Sequence, residues 1–148
     1  MFKSRWNIVL AFAACALLLP ATVSAKKQVT RPFTIRGDVT VTFVPYYASA
    51  TGVATHIGQY SSESTPSIEF PSRATLTAAN GDQLYWDENC YDLIWTATTL
   101  TFTMECTIDG GTGRFEGASG SFGPVTVTAD LTPTGCTFSY SASGTITY

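Results

Sequence analysis

The sequence predicts an all-β protein: one antiparallel sheet of seven to eight strands closed into a β-barrel. Three observations carry that reading. Apolar and polar residues alternate with period two along most of the chain from residue 31 onward, as a strand with one buried face requires. No window of ten or more residues beyond the amino-terminal stretch has helical periodicity. The last segment alternates cleanly up to Tyr148, so it has a pairing partner, and closing the first strand on the last removes both sheet edges.

The elements follow in chain order. Residues 1–25 read as an export signal: Lys3 and Arg5 give a positive start, Ile8 to Leu19 an apolar stretch, and Val23-Ser24-Ala25 a small-residue cleavage site after Ala25. The apolar stretch is shorter than the roughly 20 residues of a spanning helix, and Pro20 ends it. The chain is therefore expected to be secreted or periplasmic, without membrane insertion after cleavage. Residues 26–31 read as a short disordered lead-in and 32–148 as a single barrel domain.

Within that domain the clearest strands are 33–43, 99–108, 125–131 and 136–148. In 33–43, for example, Phe33, Ile35, Val39, Val41 and Phe43 share one parity against Thr34, Arg36, Asp38, Thr40 and Thr42. Segments 52–60, 67–78 and 83–88 alternate more weakly, and Pro71 marks an edge, bulge or break in the second. Asn80-Gly81-Asp82 predicts a hairpin with a type I′ turn, and Pro133-Thr134-Gly135 turns the chain before the final strand. Threonine makes up 23 of the 123 residues after Ala25 and dominates the polar parity, which suits a sheet with one face in water.

Charge narrows the partners. After Ala25 six basic residues stand against eleven acidic ones, a formal charge of −5, so nothing attracts a phosphate backbone and nucleic acid is not an expected partner. Three cysteines remain: Cys90, Cys106 and Cys136. In an oxidising compartment they allow one bridge and one free thiol. If the strands after residue 83 alternate in direction, the 89–98 loop and the 133–135 turn share an end, which pairs Cys90 with Cys136. A long hairpin centred near Ala97 pairs Cys90 with Cys106 instead.

The run Gly110-Gly111-Thr112-Gly113-Arg114-Phe115-Glu116-Gly117-Ala118-Ser119-Gly120 reads as a sharp turn between two strands. It resembles the G-G-T-G-x-F-x-x-A-x-G turn of the allene oxide cyclase and dirigent barrel superfamily. Residues 54–60, 75–84 and 144–148 are similar to pieces of small exported bacterial proteins of that kind. The resemblance implies an eight-stranded antiparallel barrel with an internal cavity. It carries no catalytic residue across, since only the turn and a few strand ends match, and one fold hosts both enzymes and non-enzymes.

The residues expected to touch a ligand are His56, Tyr85, Trp86, Trp95, Arg114 and Glu116. His56 is the only histidine, a general acid or base or a hydrogen-bonding group in one reading and a strand histidine fixing backbone in the other. Arg114 and Glu116 flank Phe115; they gate a barrel mouth, or Phe115 plugs that end while they tie down backbone groups. Tyr85, Trp86 and Trp95 stand among Asp87, Glu88, Tyr91 and Asp92, the densest acidic and aromatic cluster. Such a cluster stacks on a ligand or holds a cation, or else Trp86 and Trp95 fill a barrel end while the acids face water.

No motif points to a metal, a cofactor, a nucleotide or a catalytic triad. The expected function is therefore binding of a small apolar or aromatic ligand, or of a partner, by an exported barrel. A cyclase-like or stereochemistry-steering enzyme and a structural barrel filled by its own side chains are the alternatives.

Overall fold

One-sided strands need something to cover their apolar face, and here the sheet covers itself. The computed structural model describes residues 27–64 and 71–148. They form β1 (Thr30–Phe43), β2 (Tyr46–Ala54), β3 (Gly58–Ser64), β4 (Ser72–Ala78), β5 (Gln83–Trp95), β6 (Thr99–Gly111), β7 (Ser119–Thr132) and β8 (Gly135–Thr147). Each strand pairs antiparallel with the next, and β1 pairs with β8 from Thr30 opposite Thr147 to Thr42 opposite Gly135. The barrel is closed and eight-stranded, as the alternation predicts. The export signal read in residues 1–25 lies outside the described residues.

The structure corrects several boundaries. β1 begins at Thr30, inside the expected lead-in, because Val29 and Tyr148 exchange backbone hydrogen bonds next to the first strand pair. Segment 52–60 is not one strand: the chain reverses at 55–57 between β2 and β3. Thr55 and Thr34 hold that corner, with the Thr55 N–H donating to the Thr34 carbonyl and the Thr34 N–H donating to Thr55 Oγ1, both at 2.9 Å. Of segment 67–78, β4 occupies Ser72–Ala78 directly after Pro71, and 67–70 lie outside the described residues. β5 runs past residue 88 to Trp95, so the expected 89–98 loop is mostly strand. The Asn80-Gly81 hairpin is present, but positive φ falls on Gly81 alone (87°), which makes it a type I turn with a glycine bulge rather than type I′.

Three bulges among the described residues set which side chains face inward, one of them at Asp109 on β6 near the glycine-rich turn. At Gly123-Pro124 β7 carries one residue more than either neighbour, which flips its parity and lets Phe122 and Val127 both point into the barrel. At Asp92-Leu93, where Asp92 has φ 55°, β5 carries an extra residue against β6. Cys90 therefore faces inward before the bulge and Leu93 and Trp95 after it.

The two ends of the barrel differ. At the end that carries the 55–57 corner, the Asn80-Gly81 turn and the glycine-rich turn, the interior is packed by Phe33, Ile57, Leu84, Ile108, Phe122 and Ile146. Phe115 is 0% exposed and closes this end, its ring 5.3 Å from that of Tyr148. The glycine-rich turn can bend back over the barrel because Gly113 and Gly117 take positive φ (58° and 70°). At the opposite end lie the 43–46, 95–99 and 132–135 turns with the ends of β3 and β4, and there the interior is hollow.

Outside, the wall is coated with hydroxyls. Thr34, Thr40, Thr51, Thr107, Thr128, Thr137 and Thr145 are exposed, and Thr30–Thr147 and Thr101–Thr128 hydrogen-bond across neighbouring strands (2.7 and 3.0 Å).

Candidate functional site

The hollow end contains a cavity of about 880 Å³, within the usual range for small-molecule sites. Its lower wall is Trp86, Phe122, Met104 and Cys106, where the packed half begins. Its upper wall is Val39, Val41, Leu100, Phe102 and Phe138, and its mouth is ringed by Phe43, Tyr46, Leu93 and Trp95. The mouth is apolar and open to water: Val44 is 91% exposed, Ile94 63% and Trp95 60%.

Among the described residues, one carboxyl enters this apolar space. Glu88 shares the parity of Leu84 and Trp86 on β5, so the strand turns it inward. The Trp86 indole Nε1–H donates to Glu88 Oε1 at 2.9 Å, and the Ser72 hydroxyl makes a longer contact to Oε2 at 3.5 Å. Burial raises the Glu88 carboxyl above its ordinary pKa, and these two hydrogen bonds to the charged form only partly oppose that.

A tyrosine pair lies across from it. Tyr60 donates to the Arg36 carbonyl at 3.2 Å, and a phenol has a single proton, so Tyr140 is the donor in the 2.8 Å contact between the two hydroxyls. Gly37 makes room for this, since a side chain there would run into the Tyr60 hydroxyl. Burial, the Tyr60 hydroxyl and the charge of Glu88 all raise Tyr140, which stays a neutral phenol.

Of the six residues expected to touch a ligand, Trp86 and Trp95 line the cavity and His56, Tyr85, Arg114 and Glu116 do not. Trp86 packs edge-on against Phe122 with ring centres 5.5 Å apart. Tyr85 is on the outer face, its hydroxyl donating to Gln83 Oε1 at 2.9 Å and its ring under the Arg73 guanidinium at 5.5 Å. His56, Arg114 and Glu116 belong to the packed end. His56 is exposed at the 55–57 corner with φ 67°, and its Nε2–H donates to the Pro32 carbonyl at 3.0 Å. Arg114 Nε lies 3.4 Å from Asp82 Oδ2 and its guanidinium covers Phe115 at 4.8 Å. Glu116 is exposed and takes part through its backbone N–H, which donates to the Gly113 carbonyl at 3.3 Å.

The expected disulfide is a correction. Cys90, Cys106 and Cys136 are all free. Because β5 extends to Trp95, Cys90 is an inward residue of a strand wall rather than part of a loop. Cys136 is on β8, and β6 and β7 separate the two strands around the barrel. Cys90 is in register with Met104 and Cys106 with Glu88, so the runner-up pair is diagonal, beyond the span of a disulfide. Burial pushes the Cys90 thiol up to about 12 and raises Cys106 and Cys136 as well, which keeps all three protonated and poorly nucleophilic. No group of three or more His, Cys, Asp or Glu side chains that could hold a metal ion is found among the described residues.

Ser72, Tyr60 and Tyr140 are polar residues of this region that the sequence does not single out, and Glu88 stands there only as a member of the acidic and aromatic cluster rather than as a ligand-touching residue. For Glu88 the signal was present: the alternation Leu84, Trp86, Glu88 places it on the buried parity. Compared with known proteins, the chain matches no family model, no curated protein and no solved structure.

Proposed function

We propose that this protein is a non-enzymatic binder that holds a small apolar or aromatic molecule in the hollow end of its barrel. The observation that supports this most directly is the cavity of about 880 Å³, walled by Val, Leu, Phe and Trp and open through an apolar mouth. Water fills such a space poorly, and an apolar molecule placed there gains the burial of its surface, about 25 cal/mol per Å². On this reading the chain is exported by residues 1–25 and works as a carrier or sequestering protein outside the cytoplasm.

Native mass spectrometry of the protein from its own host, together with titration by the uncharged fluorophore N-phenyl-1-naphthylamine, tests the reading. A co-purified molecule of a few hundred daltons, or saturable uptake of the fluorophore, is the expected result. A bare chain mass with no uptake would overturn it.

A second reading has one observation in its favour. Glu88 and Tyr140 put acid-base groups on the wall of an otherwise apolar cavity, as an enzyme of the cyclase or dirigent kind needs. Recovery of the bound molecule chemically altered after incubation would favour that reading over carriage.

A further inference from the structure

The polar groups around the cavity are one-sided in character. Among the described residues no Arg, Lys or His lines it, so the Glu88 carboxyl has no cation to pair with there. Its two contacts, from Trp86 and Ser72, both come from neutral donors, and the one to Oε2 is long at 3.5 Å. The nearest phenol proton is committed as well, since Tyr140 gives its hydrogen to Tyr60. What the wall offers a ligand is therefore an acceptor in want of a positive partner, surrounded by ring faces: Trp86, Trp95, Phe102, Phe138 and Tyr140. Ring faces attract cations and an unpaired carboxyl attracts them more, whereas both repel an anionic head. The chain as a whole is acidic, with formal charge −3, which adds attraction for a cation at long range.

We propose that the ligand is a lipophilic cation, an amine or ammonium group on an aliphatic or aromatic body, with its charged head against Glu88 and its body filling the aromatic space up to Trp95. This rests on reading the cavity as a ligand site. The site is complementary to such a molecule in both parts. The body meets the apolar wall, and the head supplies the charge that a carboxyl taken out of water lacks.

The other titratable groups lining the cavity do not compete. Among the described residues they are Tyr46 on β2, Cys90 on β5, Cys106 on β6, and Cys136 and Tyr140 on β8, with Tyr60 of β3 behind Tyr140. All are raised above their ordinary values and stay neutral below pH 8. β4 presents Ser72, and β1 and β7 present no titratable side chain to the cavity. Binding of a cation charged at every pH is therefore expected to strengthen as pH rises through the raised Glu88 value and Glu88 ionises.

The test uses three ligands of one length, 1-aminodecane, 1-decanol and decanoate, displacing N-phenyl-1-naphthylamine from the full chain at pH 7. The amine is expected to bind about tenfold or more tighter than the alcohol, the scale of one charge-assisted hydrogen bond, and decanoate weakest of all. Glu88→Gln is expected to bring the amine level with the alcohol, each read against the fluorophore's own affinity for that variant. Glu88→Met, apolar and of similar length, gives the same comparison should the amide variant fail to fold. The alcohol or the acid binding as tightly as the amine, with the fluorophore still taken up, would overturn the charge preference and leave the cavity reading standing. Failure of the fluorophore and all three chains to bind would overturn both.

Discussion

The two ends of this barrel are made by the same eight strands and have opposite interiors. Toward the glycine-rich turn, inward positions carry Phe33, Ile57, Leu84, Phe115 and Ile146, rings and branched chains that meet across the axis and leave no space. Toward the 43–46 and 95–99 turns, the inward positions of β2, β3 and β4 carry Ala48, Ala50, Ser62, Ser64 and Ser72, too short to reach the opposite wall. The difference lies in side-chain size rather than in backbone, and it teaches that one end is filled by its own side chains while the other is left hollow. A lone carboxyl is tolerated only in the second.

The comparison breaks most visibly at the plug. Phe115→Ala removes a ring with no exposed surface from the packed end and is expected to cost about 3–5 kcal/mol of unfolding free energy in a denaturant titration. A loss under about 1 kcal/mol would mean that the ring does not fill this end. Next comes Gly144→Ala on β8, where an added Cβ would overlap the Ser121 carbonyl oxygen and crowd the Phe122 backbone, neither of which can swing aside. A cost of about 1–3 kcal/mol is expected from the same titration.

The open end is expected to respond through pH. The Glu88 carboxyl is raised by burial, so the folded protein holds a proton that the unfolded chain releases. Stability is thus fully present below the ordinary carboxylate value and is lost as pH rises through the higher folded value. Thermal unfolding across that window should show the decline in the ligand-free protein, and Glu88→Gln should flatten it. An unchanged slope in the variant would assign the decline to another group.

Smallest is the effect of filling the space. Ala48→Phe points a ring into the void, and its stability change is expected to stay within about 1 kcal/mol in either direction. The same variant is expected to reduce uptake of N-phenyl-1-naphthylamine several-fold, which separates volume from stability. Unimpaired uptake would mean that the fluorophore sits elsewhere.

Much of this fold was legible because alternation survives in the chain wherever one face is buried and the other is wet. β1, β6 and β8 can be traced almost residue by residue, and the closure of β1 on β8 follows from a last strand that never loses its pattern. The 55–57 corner was hard to read because the left-handed conformation usually given to glycine falls on His56, with Gly58 (φ 81°) just beyond it as the one glycine signal. The extension of β5 was masked by the bulge at Asp92, which interrupts the period and makes a strand look like a loop. Glu88 was readable from parity alone, yet acids beside aromatics suggest a wet loop until the strand is known to continue beneath them. The disulfide expectation failed for the same reason, since strand pairing rather than compartment decides whether two sulfurs can meet.

The threonine coat has a consequence for how the molecule lives in solution. A surface hydrated through charges is sensitive to ions, which screen it over about 10 Å at 0.1 M salt. Hydroxyls bound to water and to one another across the strands have no such field to lose. The threonine share of this wall keeps the same face toward its surroundings in dilute and in briny media.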